Sequence, residues 1–250
     1  MLKQIARLEP APPWSFYTAL GTLIGVFLSM VIGAGVAQAF FGNDPITPIF
    51  GWTVGAALAI IFVLFTRRRT VEDVAALRLE ANDNSRLPIV ALFCVGMAVT
   101  IDVIALGITG DFWTAPELFS LFAINADNTF AALDVSVIAW VIAFIFMVFM
   151  QPIAEELVLR GVVFPAARAT LGTWTGFFIV VVLHTLFHVM TYLSIAPTDL
   201  TRIFYAILVP FLDALVITGV RAYTQSTRAA IVAHAAFGAF MVLKALTLTG

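Results

Sequence analysis

FAALDVSVIAWVIAFIFMVFMQPIAEELVLR, residues 130–160, joins two kinds of sequence. From Phe130 to Gln151 it is apolar with few breaks, about the length that crosses a bilayer's hydrocarbon core as an α-helix. It then places Glu155, Glu156 and Arg160 among apolar neighbours, with no polar face to carry them. The first part predicts a transmembrane helix, and the second asks what three charges do at its end. The spacing predicts that helix continues beyond Pro152.

The rest of the chain repeats the first pattern. It is 62% hydrophobic and 11% charged, with a mean hydropathy of +1.04, too apolar to give a soluble domain of 250 residues a polar surface. Seven spans are predicted, at about 15–41, 48–66, 88–108, 130–151, 174–195, 203–220 and 229–248. A short segment at 112–124 reads as an interfacial helix and would bring the count to eight. The fold expected is all-α, a polytopic bundle of about seven to eight transmembrane helices. Residues 1–129 would hold the N-terminal helices with a charged cytoplasmic loop at about 67–87, and 130–250 a catalytic helix core. Within the loop, VEDVAALRLEA predicts a solvated amphipathic helix.

Charge gives the expected orientation. If the spans alternate, eleven of the thirteen Lys and Arg share one face, leaving only Arg202 and Lys244 elsewhere. The positive-inside rule makes that face cytoplasmic, with the N-terminus inside a cell (inner or plasma) membrane. The first apolar run is too long for a signal peptide. Cys94 is the single cysteine, which excludes a disulfide framework and a cysteine metal cluster. A net charge of -2 gives no reason to expect nucleic acid.

Ionisable groups inside a membrane are costly and are functional candidates by default. They are Asp102, Asp134, Glu155, Glu156, Arg160, His184, His188, Asp213 and His234, and all three histidines of the chain fall in spans 5 and 7. Glu156 and Arg160 are four residues apart and can neutralise each other on one helix face. Glu155, rotated about 100° away, has no basic residue at those offsets. His184 and His188 are also four apart, and His234 comes from another helix. One carboxylate with imidazoles from two further helices suits activation of a water for hydrolysis. Glu155 would take the proton, one histidine would orient the water, and another would donate to the oxyanion. Asp102, Asp134 and Asp213 read as interhelical polar contacts. At about 1.5 Å per residue, His188 lies roughly 20 Å into span 5 and His234 only about 8–10 Å into span 7, a mismatch in depth.

These residues resemble the motifs of the CPBP intramembrane peptidases (CAAX protease and bacteriocin-processing proteins, or Abi). EELVLR, Glu155 to Arg160, matches that family's EExxxR, with Gly161 following. HTLFH places His188 at the histidine of FxxxH, with His184 where phenylalanine is usual. HAAFG places His234 at the third motif, with Gly238 where asparagine is common. The resemblance covers about 130–248. It implies an intramembrane endopeptidase in which Glu155 and His188 activate water and His234 stabilises the oxyanion; Glu156, Arg160 and His184 are read from their spacing as supporting residues. Gly238 removes half of the family's oxyanion hole.

The expected substrate is a peptide or protein, lipidated in the CAAX-processing case, and the expected surroundings are membrane lipid. No cofactor is expected. Zinc is the alternative, because the HxxxH spacing of His184 and His188, joined by Glu155 or His234, is that of metal ligands. Two other functions compete: a catalytically silent scaffold or bacteriocin-immunity protein, favoured by Gly238, and a proton-coupled transporter, favoured by the buried acids and histidines.

Overall fold

The computed structural model describes residues 2–42, 44, 46–80, 84–110, 137–192, 200 and 203–249. Among them there are helices and no strands. The long ones are α1 (Phe16–Phe41), α2 (Thr47–Arg67), α3 (Leu87–Thr109), α4 (Val137–Leu171), α5 (Thr173–Tyr192), α6 (Phe204–Thr224) and α7 (Thr227–Thr249). All but α5 are long and apolar enough to cross a membrane, and α5 supplies a shorter apolar stretch, Thr173–Val189. The protein is a polytopic helical membrane bundle. The beginning of the fourth predicted span, the 112–124 segment and Asp134 lie outside the described residues.

α4 is the axis of the fold. It does run through Pro152, and its 35 residues exceed what a bilayer core requires. Two stretches, Phe146–Met150 and Leu157–Val163, widen to π-helical turns, and between them lies Gln151–Glu156. Proline explains where the widening occurs. A proline inside a helix donates no N–H and crowds the carbonyl four residues back. Pro152 follows the first wide stretch, Pro165 the second, and Pro210 follows a third at Phe204–Leu208 in α6. Carbonyls of the second wide stretch accept from outside the helix: Arg160 from Arg221 Nε at 3.1 Å, and Val162 from Trp14 Nε1 at 3.0 Å.

Those bonds also resolve the mismatch in depth. Arg221 further donates to Thr227 Oγ1 at 3.2 Å, so the carbonyl of Arg160 lies level with the turn between α6 and α7. From that level α4 continues eleven more residues to Leu171, about 16 Å, before α5 turns back along it. Phe177 of α5 packs edge-on against Phe164 of α4, with ring centroids 6.5 Å apart. The α4–α5 hairpin therefore overshoots the α6–α7 turn, and a histidine far along α5 meets one near the start of α7.

The N-terminal segment closes this end of the bundle. Glu9 accepts both terminal nitrogens of Arg221, and Arg78 Nε lies 4.0 Å from it. Arg168 donates to the carbonyls of Ile5 at 2.8 Å and Arg7 at 3.2 Å. The loop helix is Val71–Leu77, begun by a reciprocal capping box between Thr70 and Asp73 and ended by Arg78 at a left-handed φ of 53°. It is anchored rather than fully solvated, because Leu77 is buried.

α1 and α2 cross through small residues. A Cβ on Gly33 would overlap the backbone of Gly55 and lie 2.6 Å from the Gly51 carbonyl oxygen, so the helices touch backbone to backbone. At the far end of the bundle, Lys244 of α7 bonds to Asp102 of α3, the interhelical polar contact expected for that aspartate. Gly33→Leu is expected to destabilise the protein by about 1–3 kcal/mol through overpacking. Thermal unfolding in detergent measures it, and an unchanged midpoint would contradict the close crossing.

Candidate active site

Adjacent glutamates on α4 point about 100° apart, and each meets a different helix. Glu156 and Arg160 form the i,i+4 pair, Oε1 to Nη1 at 3.0 Å, with both side chains fully buried. A buried guanidinium must satisfy its donors, and Arg160 does so across three helices. Nη1 donates to Glu156 and, at 2.6 Å, to His184 Nδ1 on α5. Nη2 reaches the Ala214 carbonyl at 3.2 Å and Thr218 Oγ1 at 3.0 Å on α6, and Nε also lies 3.3 Å from Thr218. The pair expected to be a simple neutralisation is thus a junction. Glu156 Oε1 also bonds His234 Nδ1 of α7 at 2.8 Å.

These bonds fix two tautomers. Arginine only donates, so His184 Nδ1 is an acceptor and the proton of the neutral ring lies on Nε2. The Glu156 carboxylate only accepts, so His234 Nδ1 carries a proton and donates it. That leaves His234 Nε2 for the cavity His234 lines.

Glu155 turns toward α5. Its Oε1 accepts from Gln151 Nε2 at 3.1 Å. Its Oε2 is buried and lies 3.3 Å from His188 Nε2 and 4.0 Å from His184 Nδ1. The contact with His188 is within ion-pair range but is not directed as a hydrogen bond, so Oε2 accepts none among the described residues. The rings of His184 and His188 are 4.7 Å apart at their centroids, and those of His184 and His234 are 5.7 Å apart. A cavity of about 20 Å³, room for roughly one water, is lined by Gln151, the three histidines, Asp213 and Gly238 among others.

All six residues singled out in the sequence meet here: Glu155, His188 and His234, with Glu156, Arg160 and His184. Three others were missed. Gln151 lies one turn before Glu155 on the same face, a spacing that was there to be read. Thr218 gave no signal, being one threonine among several. Asp213, read as an interhelical contact, lines the cavity itself.

Gly238 has a structural cause. A Cβ there would overlap the carbonyl oxygen of Met147, in the first widened stretch of α4. α7 lies so close to α4 that no larger residue enters without moving one of them.

Metal ligation can be tested on the same bonds. Glu155, His184 and His188 each present a donor atom, all within 4.8 Å of one another. His184, however, spends its Nδ1 lone pair on Arg160 and carries its proton on Nε2, so neither nitrogen is open to a cation. His234 is not part of that cluster. Two ligands remain, short of the three that a catalytic zinc site usually has.

Arg160→Met, which keeps bulk but leaves Glu156 buried without its cation, is expected to destabilise the fold by about 3–5 kcal/mol. Arg160→Lys is expected to rescue only part of this, since one ammonium cannot span four partners. Unfolding of both variants in detergent, compared with the parent, measures it.

Comparison with known proteins agrees with the geometry. Residues 137–240 match a family model described as type II CAAX prenyl endopeptidase Rce1-like. No curated protein and no solved structure matches the chain. The match spans the widened helix, all of α5, α7 as far as Phe240, and every residue of the site. Over residues 137–240, about two fifths of its length, the chain is therefore similar to the Rce1-like type II CAAX prenyl endopeptidases.

Proposed function

We propose that the chain hydrolyses a peptide bond within the membrane with a water activated by Glu155 and His188, without a metal. The observation that carries this reading is Glu155 Oε2, buried, accepting no hydrogen bond among the described residues and 3.3 Å from Nε2 of His188, whose side chain lines a water-sized cavity. A carboxylate oxygen so placed is ready to receive a proton.

The chemistry balances with the groups at hand. Glu155 takes a proton from water oriented by His188, and the hydroxide adds to the scissile carbonyl carbon. Negative charge develops on the carbonyl oxygen. His234, whose Nδ1–H is held by Glu156, presents Nε2 toward that oxygen and would donate to it from there in its imidazolium form. As the tetrahedral species collapses, the C–N bond breaks and Glu155 returns its proton to the leaving amine. His184 and Arg160 hold the scaffold rather than touch substrate. The substrate class we assign is a prenylated CAAX-type peptide or protein, reached from the membrane lipid. The basic end of the bundle, where the N-terminal segment docks, would face the cytoplasm, in a cell (inner or plasma) membrane.

One observation favours a second reading, a catalytically silent relative: Gly238 supplies no side-chain donor and has no room for one.

Two measurements separate these. Purified protein in detergent should cleave prenylated CAAX-type peptides, and Glu155→Gln should lower the rate by about 10²–10⁴-fold with unfolding unchanged. Absence of cleavage by the parent on an unbiased peptide set would favour the silent relative. Activity should also survive prolonged chelation, with no stoichiometric metal by elemental analysis. One bound zinc lost together with activity would overturn the metal-free assignment.

A further inference from the structure

The amide missing from α7 has a counterpart on the facing helix. α4 runs toward the end closed by the N-terminal segment and α7 runs away from it, so the two are antiparallel. Their contacts bracket Gln151: Gly238 lies against the Met147 carbonyl, and His234 bonds Glu156. Gln151 is between those points on α4, one turn from Met147 and one turn from Glu155. It is buried, 7% exposed, and lines the same cavity as His188, His234 and Gly238.

Its chemistry suits what position 238 lacks. A buried amide is costly unless its hydrogen-bonding groups are used. Because a carboxylate only accepts, it is the nitrogen of Gln151 that faces Glu155. That nitrogen carries two protons, and Glu155 Oε1 takes one at 3.1 Å. Among the described residues, the other has no protein acceptor, and the side chain that holds it borders the cavity.

We infer that Gln151 is the second oxyanion donor of this site, the amide having moved from α7 to α4. The inference rests on the peptidase reading above. With one proton Gln151 holds the general base; with the other it donates to the carbonyl oxygen that becomes negative as hydroxide adds, opposite His234. Base and oxyanion donor are then joined through a single side chain. The close packing of Gly238 on Met147 is compatible with turnover because the donor comes from across the interface.

The test uses the full chain in detergent or nanodiscs with a prenylated CAAX-type peptide. Gln151→Met keeps the volume and removes both donors. It is expected to lower kcat and kcat/KM together by about 10²–10³-fold, with KM within about twofold. The loss should persist on the plateau of the pH–rate profile, where Glu155 is ionised whether or not Gln151 bonds it. A loss confined to one limb, with the plateau rate equal to the parent's, would make Gln151 a positioning residue for Glu155 alone and overturn the donor role. An unchanged kcat would also overturn it, and a parent that cleaves normally would leave the peptidase reading standing. A parent inert on every peptide would remove that reading, and this inference with it. Matched unfolding midpoints control for folding. Should Gln151→Met not fold, Gln151→Asn replaces it, keeping the amide but withdrawing it by one methylene; a kcat equal to the parent's would then be the overturning result.

Discussion

A guanidinium buried in the middle of a membrane bundle constrains the rest of this fold. Transfer of such a group from water is expensive, and only a nearly complete set of acceptors offsets it. Arg160 finds them on its own helix, on α5 and on α6. Each acceptor is available only at one rotation of its helix, so the bonds that satisfy the charge also set how α4, α5 and α6 face one another. Glu156 extends the constraint to α7 through His234. The positive charge therefore acts as a jig. The catalytic candidates Glu155 and His188 make no bond to it, yet they are carried on helices whose rotation it determines.

Backbone irregularity on α4 completes the arrangement. A widened turn inserts an extra residue and rotates everything beyond it, and such turns recur at functional sites. Here one precedes Gln151–Glu156 and another follows, so this six-residue segment is offset from the helix on both sides. The first widened stretch is also where Gly238 meets Met147. The closest approach of α7 to α4 and the local change of pitch thus fall together, next to the cavity. Spare carbonyls of the second stretch bind Arg221 and Trp14, which couples the site to the end of the bundle.

Much of this was legible in the sequence because hydrocarbon is an unforgiving solvent. Helix ends fall within a few residues of the breaks in hydropathy, as at Phe16–Phe41 and Leu87–Thr109, since polar residues cannot be tolerated farther in. The six site residues were recognisable for the same reason: charge and imidazole stand out against an apolar background. What the sequence hid depends on relations between helices. That Glu156 serves both Arg160 and His234 needs the rotation of α7. The overshoot of the α4–α5 hairpin needs the level of the α6–α7 turn. Gly238 read as a lost donor until the proximity of Met147 gave it a packing role. Gln151 was legible by spacing but unremarkable by type, since glutamine carries no charge.

The N-terminal segment has a consequence for how the molecule is made. Glu9 leaves the ribosome early, while its partner Arg221 follows 212 residues later, after five of the seven long helices and most of the sixth. Arg168, which holds the carbonyls of Ile5 and Arg7, is also late. Until then Glu9 has only Arg78 of its cationic partners, at 4.0 Å, and the segment lacks the two arginines that hold it. Closure of this end is accordingly a late event of assembly, in which an early segment meets two arginines made 163 and 212 residues after their partners in it. A bundle whose last helices insert out of register would leave that seal open, so the docked segment reports at one end of the chain that the other has arrived.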